Sequence, residues 1–192
     1  LVQEIEMESK NLLTEMEYNT LLDFFELRKE DAHSQTNHYF ETPDFQLKNK
    51  GAALRIRKKK DKWQLTLKEP YQDGLLETHD NLTEQEANSW INNKLIAKPA
   101  VKQQLDGLGI DFQALSYGGS LTTHRTELPY KQALLVIDYS IYNNMFDYEL
   151  EIESDTKEKS EKLLHQLINQ FHITKKPTPN KIERFYHSLE NR

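Results

Sequence analysis

The sequence predicts a mainly β, α+β fold of about eight strands, with helices near the start, in the middle and near the end. Three observations predict it. Apolar and charged residues alternate with a period of two in one stretch after another, which is the signature of a strand. Two Thr-x-x-Glu capping boxes, Thr14–Glu17 and Thr83–Glu86, each stand at the head of a helical apolar pattern. The composition is polar, with 29% charged and 36% hydrophobic residues, yet 10% are aromatic and there are only 6 Gly and 6 Pro. That balance separates it from disordered chains, which lack aromatics and are enriched in Gly and Pro.

The elements follow in order. Glu4 to Lys10 puts Glu4, Glu6, Glu8 and Lys10 on one parity and Ile5 and Met7 on the other, so the charges share a face. Thr14 and Glu17 then cap a helix whose staple is Leu13 with Tyr18 and whose apolar face is Leu21, Leu22, Phe24 and Phe25. His38 to Leu47 reads as a strand ending at the turn tripeptide Thr42-Pro43-Asp44. Ala53 to Lys59 sets Leu54 and Ile56 against Arg55, Arg57 and Lys59; Lys62 to Lys68 sets Trp63, Leu65 and Leu67 against Gln64, Thr66 and Lys68. Pro70 and Gly74 bound that strand, and Leu75 to Leu82 forms the next. The second capping box opens a helix through Trp90 and Ile91, and Pro99 opens another that Gly107 and Gly109 close. Leu115 to Leu128 and Gln132 to Ile141 make a hairpin joined near Pro129. Asp147 to Ser154 sets Tyr148, Leu150 and Ile152 against Glu149, Glu151 and Glu153. Asp155 caps a helix to about Phe171, and a last element begins near Pro179.

The 192 residues suit one domain, 1–192, with no internal repeat or linker. A net charge of -6 speaks against a general nucleic-acid surface. With no cysteine there is no disulfide framework, thiolate metal site or thiol nucleophile, which suits a reducing cytoplasm. The opening LVQEIEMESK is neither a signal nor a transit peptide, and no apolar run approaches the ~20 residues that span a bilayer, so no membrane is expected as a partner. None of the 7 His residues stands in an H-E-x-x-H pattern, and no His metal site is assigned.

On a single strand, the charged face is ordinarily the solvated one. Here the signs segregate by strand: Glu4, Glu6 and Glu8 on one, Arg55, Arg57 and Lys59 on another, Glu149, Glu151 and Glu153 on a third. Same-face neighbours lie roughly 6.7 Å apart. Three carboxylates so spaced repel one another unless a cation compensates. Clustered carboxylates are what Mg²⁺ and Mn²⁺ bind, and clustered Arg and Lys are what phosphate oxygens bind. Both sets together suit a metal–polyphosphate complex, and a closed barrel of about eight strands has room for one small ligand.

Five segments, in order along nearly the whole chain, resemble the CYTH superfamily, the triphosphate tunnel metalloenzymes. They are Glu6-Met7-Glu8-Ser9-Lys10 (E-x-E-x-K), Tyr39-Phe40-Glu41-Thr42-Pro43-Asp44, Gly51-Ala52-Ala53-Leu54-Arg55-Ile56-Arg57, Leu65-Thr66-Leu67-Lys68 and Tyr148-Glu149-Leu150-Glu151-Ile152-Glu153. The chain is most similar to the small bacterial members of the Bacillus triphosphatase type. The resemblance implies a closed eight-stranded antiparallel barrel, a tunnel, with flanking helices. It also implies metal-dependent hydrolysis of a triphosphate, with Mg²⁺ or Mn²⁺ as cofactor. By position it places the metal on Glu6, Glu8, Asp138, Glu149 and Glu151, with Glu153 at the right parity. Phosphate oxygens fall to Lys10, Arg55, Arg57, Lys68, Arg125 (in Thr123-His124-Arg125), Lys181 and Arg184, the last two on one helical face. Glu149 and Glu151 with Lys68 take the catalytic roles.

Inorganic tripolyphosphate is the first choice of substrate, ahead of thiamine triphosphate and nucleoside triphosphates. An adenylate cyclase of the same superfamily and a non-catalytic polyphosphate-binding module are the alternatives, and a homodimer stays open. Three places sit off the pattern: Glu4 reads as an exposed strand-end carboxylate, Lys58 to Lys60 as a solvated hairpin tip, and Glu41 stands where many members carry Asp.

Overall fold

The computed structural model describes residues 2–190; of the expected domain 1–192, residues 1, 191 and 192 lie outside the described residues. Among the described residues there are eight strands: β1 (Gln3–Leu13), β2 (His33–Glu41), β3 (Ala53–Lys59), β4 (Lys62–Tyr71), β5 (Gly74–Leu82), β6 (Ser116–Tyr130), β7 (Ala133–Tyr142) and β8 (Met145–Ser154). The helices are α1 (Glu15–Phe24), α2 (Gln46–Asn49), α3 (Glu84–Ile91), α4 (Pro99–Gly107), α5 (Lys157–Gln170) and α6 (Lys181–Glu190). The strands form a closed antiparallel barrel in the order β1-β5-β4-β3-β2-β6-β7-β8. No described helix is long and apolar enough to cross a membrane.

The chain divides into two compact units. One comprises the start of β1 through Ile5 together with Gln35–Ser120; the other comprises Glu6–Ser34 and the chain from Leu121 onward. In the first, β3 and β4 are in register with Arg55 opposite Thr66 and Ala53 opposite Lys68. Phe40, Leu54, Ile56, Leu65 and Leu67 leave the other face of these strands and pack with Trp90 of α3 and Val101 and Leu105 of α4. Trp90 meets Phe40 edge-on at 5.2 Å, a favoured aromatic geometry. The capping box of α3 is formed, and Asp80 of β5 accepts the α4 N–H of Val101 at 2.8 Å. That carboxylate satisfies a helix-end donor that has no partner within the helix.

In the second unit, Leu135, Ile137, Leu150 and Ile152 pack with Leu21 and Leu22 of α1 and Leu163, Leu164 and Leu167 of α5. Alternate residues on β8 therefore divide: apolar ones go beneath helices, and Glu149, Glu151 and Glu153 go to the opposite face. The α1 capping box is formed, and Leu13 and Tyr18 are both buried in this core.

Several boundaries differ from the sequence reading, each for a local reason. β2 runs from His33 and stops at Glu41, because the Glu41 carboxylate accepts the backbone N–H groups of Thr42, Leu47 and Lys48 and folds the following segment into a turn and α2. β4 passes through Pro70, opposite Leu75, to Tyr71. β6 likewise passes through Pro129, opposite Leu134, and the reversal falls at Lys131 and Gln132, both at positive φ. The cap of α5 is Thr156, whose hydroxyl accepts from Lys159 N; Asp155 instead pairs with the Lys159 ammonium.

Candidate active site

In the first unit, the strand faces turned away from the helices carry a basic set. Lys68 lies directly opposite Glu77 of β5, and its ammonium meets that carboxylate at 2.6 Å. Arg55 reaches the same oxygen at 3.3 Å, and Arg57 donates from Nε to Asn37 Oδ1 at 3.0 Å. Burial alone would raise Glu77, but Lys68, Arg55 and Arg57 outweigh it and hold the carboxyl down at about 2. Arg55 Nε is buried with no hydrogen-bond partner among the described residues. Three cations thus gather about one carboxylate.

His79, next on the Glu77 face, bonds Thr66 through Nδ1 at 2.9 Å and Glu4 through Nε2 at 3.0 Å. Glu4, Glu77 and His79 each bring a ligand atom within 4.8 Å of the others. Both nitrogens of His79 are already engaged, and the Glu4 side chain is 55% exposed, in keeping with its reading as a strand-end carboxylate. Lys58 lies over the Trp63 ring at 4.8 Å and is exposed, as a solvated hairpin tip would be.

In the second unit, β1, β7 and β8 bring the acids together. Glu8 is opposite Glu153, and Asp138 is opposite Glu149. The six predicted metal residues fall into two triplets, Glu6–Glu8–Glu153 and Asp138–Glu149–Glu151, each with ligand oxygens within 4.8 Å of one another. The two differ in burial: Asp138, Glu149 and Glu151 are all buried, and the other three are intermediate.

The buried triplet is enclosed by cations of its own unit. Arg125, opposite Asp138 in register, forms a bidentate pair with it at 2.9 and 2.7 Å and reaches Glu151 at 2.9 Å. Lys181, on α6, meets Asp138 at 2.9 Å, Glu151 at 2.5 Å and also Glu149. Arg184, one helical turn on, donates to Glu149 at 2.7 Å, to Asp147 at 2.9 Å and to the Pro179 carbonyl at 2.6 Å. Lys181 and Arg184 thus share a helix face, as their spacing predicts. Burial pushes Glu149 up to about 7 against the pull of Lys181, whereas Lys181 and Arg125 overcome burial at Glu151 and hold it well below the usual range.

In the other triplet, burial and repulsion from Glu151 and Glu6 push Glu153 up to about 7, with Arg125 only partly offsetting them. Lys10 sits beside Glu8 at 2.8 Å and donates to Asn180 Oδ1 at 2.6 Å.

Two charged residues missed from the sequence matter here. Glu77 holds the basic set of the first unit, and Asp147 orients Arg184 while accepting the Tyr142 hydroxyl at 2.7 Å. Asp147 extends the Glu149–Glu151–Glu153 parity by one step, so the pattern could have found it.

The CYTH domain model matches residues 4–186, running through both units. The chain is 45% identical over 184 residues to "Putative triphosphatase YjbK" of Bacillus subtilis, covering 96% of this chain and 95% of that protein. A Bacillus halodurans crystal structure described as a "putative adenylate cyclase" is 38% identical, with a TM-score of 0.92, and covers 97% of this chain and 100% of that one. A Hippeastrum protein described as a "putative adenylyl cyclase" with a dominant triphosphatase activity is 23% identical with a TM-score of 0.74; the match covers 95% of each chain, and the two share the fold.

Proposed function

Since the chain belongs to the CYTH domain family, we propose that it works as a single domain, residues 1–192, that hydrolyses a triphosphate with a divalent metal, inorganic tripolyphosphate being the substrate. The observation that carries this reading is the Glu6–Glu8–Glu153 triplet. Three carboxylates from two strands gather there, and burial, with repulsion from Glu151 and Glu6, pushes Glu153 up to about 7. The donors are all carboxylate oxygens, which fits Mg²⁺ or Mn²⁺ and not a soft metal.

A divalent ion held there would polarise phosphoryl oxygens and make the attacking water more acidic. Arg55, Arg57 and Lys68 bind phosphate oxygens and stabilise the charge that spreads over the transferred group; the buried, unpartnered Arg55 Nε supports this. Lys68 acts on the leaving group. Glu149, with its carboxyl near 7, takes the proton of the attacking water, and Glu151, held ionised by Lys181 and Arg125, keeps those two cations in place beside it. Tripolyphosphate is favoured because the charged groups answer to phosphates. Trp90 is fully buried in the helix-covered core and Trp63 carries Lys58, so neither is placed to cradle an organic cation.

The 45% identical Bacillus subtilis protein supports the triphosphatase reading, and the 38% identical Bacillus halodurans structure keeps a cyclase as the second. Phosphate and cyclic nucleotide should be measured from tripolyphosphate, thiamine triphosphate and ATP, with Mg²⁺, Mn²⁺ or EDTA. The expected result is orthophosphate from tripolyphosphate, lost in EDTA. Cyclic AMP with pyrophosphate from ATP would replace the proposal with the cyclase reading.

A further inference from the structure

Building on the metal reading above, we propose that the Lys181 ammonium is a built-in cation that keeps a divalent ion out of the Asp138–Glu149–Glu151 triplet. Divalent metal is thereby confined to Glu6–Glu8–Glu153.

The buried triplet has the donor set of a metal centre. Its side chains are 0%, 0% and 5% exposed, and each offers an oxygen within 4.8 Å of the others. Carboxylates so buried must be compensated, because an unpaired buried charge costs several kcal/mol. The compensation comes from α6 and β6. Lys181 has three ammonium hydrogens and meets three carboxylates, one oxygen from each. A metal ion drawing one oxygen from each acid would need the same position, since Mg²⁺ and its like bind carboxylate oxygen at roughly 2.0–2.1 Å. The ammonium and the ion exclude each other.

Arg125 and Arg184 complete the balance from the sides, on Asp138 and Glu151 and on Glu149. Three acids face three protein cations. Lys181 is held in turn by its helix: Arg184 ties α6 to Asp147, and Asn143, in the β7–β8 turn, donates to Ser188 Oγ at 2.8 Å. The ammonium is thus part of the folded architecture.

The test is a count of bound Mn²⁺ per chain, by electron paramagnetic resonance of the free ion, in wild type, Lys181→Met and Lys181→Arg. Lys181→Met should bind one ion more than wild type, and Lys181→Arg, which restores the charge, should not. An equal count in wild type and Lys181→Met overturns the proposal. The wild-type baseline reports separately on the metal reading: no ion in wild type but one in Lys181→Met would remove Glu6–Glu8–Glu153 as a metal centre and leave the role of Lys181 standing. Should Lys181→Met fail to fold, two variants with Lys181 intact decide. Asp138→Asn should keep the wild-type count and Glu153→Gln should lower it; loss of the ion in Asp138→Asn overturns the proposal.

Discussion

The two acidic triplets of the second unit use the same chemical groups, and two of the three β8 glutamates sit in one while the third sits in the other. Their surroundings set them apart. Asp138, Glu149 and Glu151 are buried against Lys181, Arg125 and Arg184. Glu6, Glu8 and Glu153 are less buried, and Glu153 is dominated by burial and by other carboxylates. Lys10 of β1 meets Glu8 at 2.8 Å and Arg125 stands 3.7 Å from Glu153, whereas helix α6 and strand β6 surround the buried triplet with three cations. On the reading proposed here, carboxylate spacing alone does not define a metal centre; the cations packed against each triplet do.

The comparison breaks most visibly at Glu8. Glu8→Gln should lower metal-dependent turnover by about 100-fold or more while the melting curve stays near wild type, an effect typical of losing transition-state charge stabilisation. Full activity in that variant would take Glu8 out of the centre. The buried triplet should respond in the opposite way. Lys181→Met, assayed by urea unfolding in EDTA, should destabilise by about 3–5 kcal/mol, the usual result of removing one partner of a buried ion pair. A variant as stable as wild type would mean that those acids are neutral when Lys181 is gone.

In the first unit, Arg57→Ala should raise the KM for tripolyphosphate about tenfold or more, in line with ~1.5–3 kcal/mol for a charged hydrogen bond; unchanged KM would detach the basic set from substrate. Glu77 offers the subtlest contrast. Its carboxyl is held at about 2, below the ordinary 4.5, so the folded state favours the ionised form. The stability this contributes is present above about pH 4.5 and lost as pH falls towards 2. Glu77→Gln should therefore flatten the fall in melting temperature between pH 5 and 3, and a wild-type slope in the variant would contradict the pairing.

Where alternation was strict, the sequence was easy to read. β1, β3 and β8 each set apolar residues against charged ones, and both the strands and the facing of Arg55, Arg57, Glu149 and Glu151 follow from that. β5 hid its polar residues because both of its faces carry them: Asp80 turns to cap α4 and Thr78 accepts from Gln3, so Glu77 and His79 do not stand out. The pairing of Lys181 and Arg184 with acids some 30 residues earlier depends on how α6 docks, which no local pattern encodes. Glu41, read only as an exchange for Asp, anchors a turn through three backbone donors, a role set by the path of the next seven residues.

The most direct measurement is phosphate release from tripolyphosphate by wild type and Glu153→Gln across a Mn²⁺ titration from EDTA upward. The account predicts no release in EDTA, a saturable rise in wild type, and a half-saturating Mn²⁺ concentration at least tenfold higher in Glu153→Gln. Release that persists in EDTA, or the same Mn²⁺ dependence in both proteins, would contradict it.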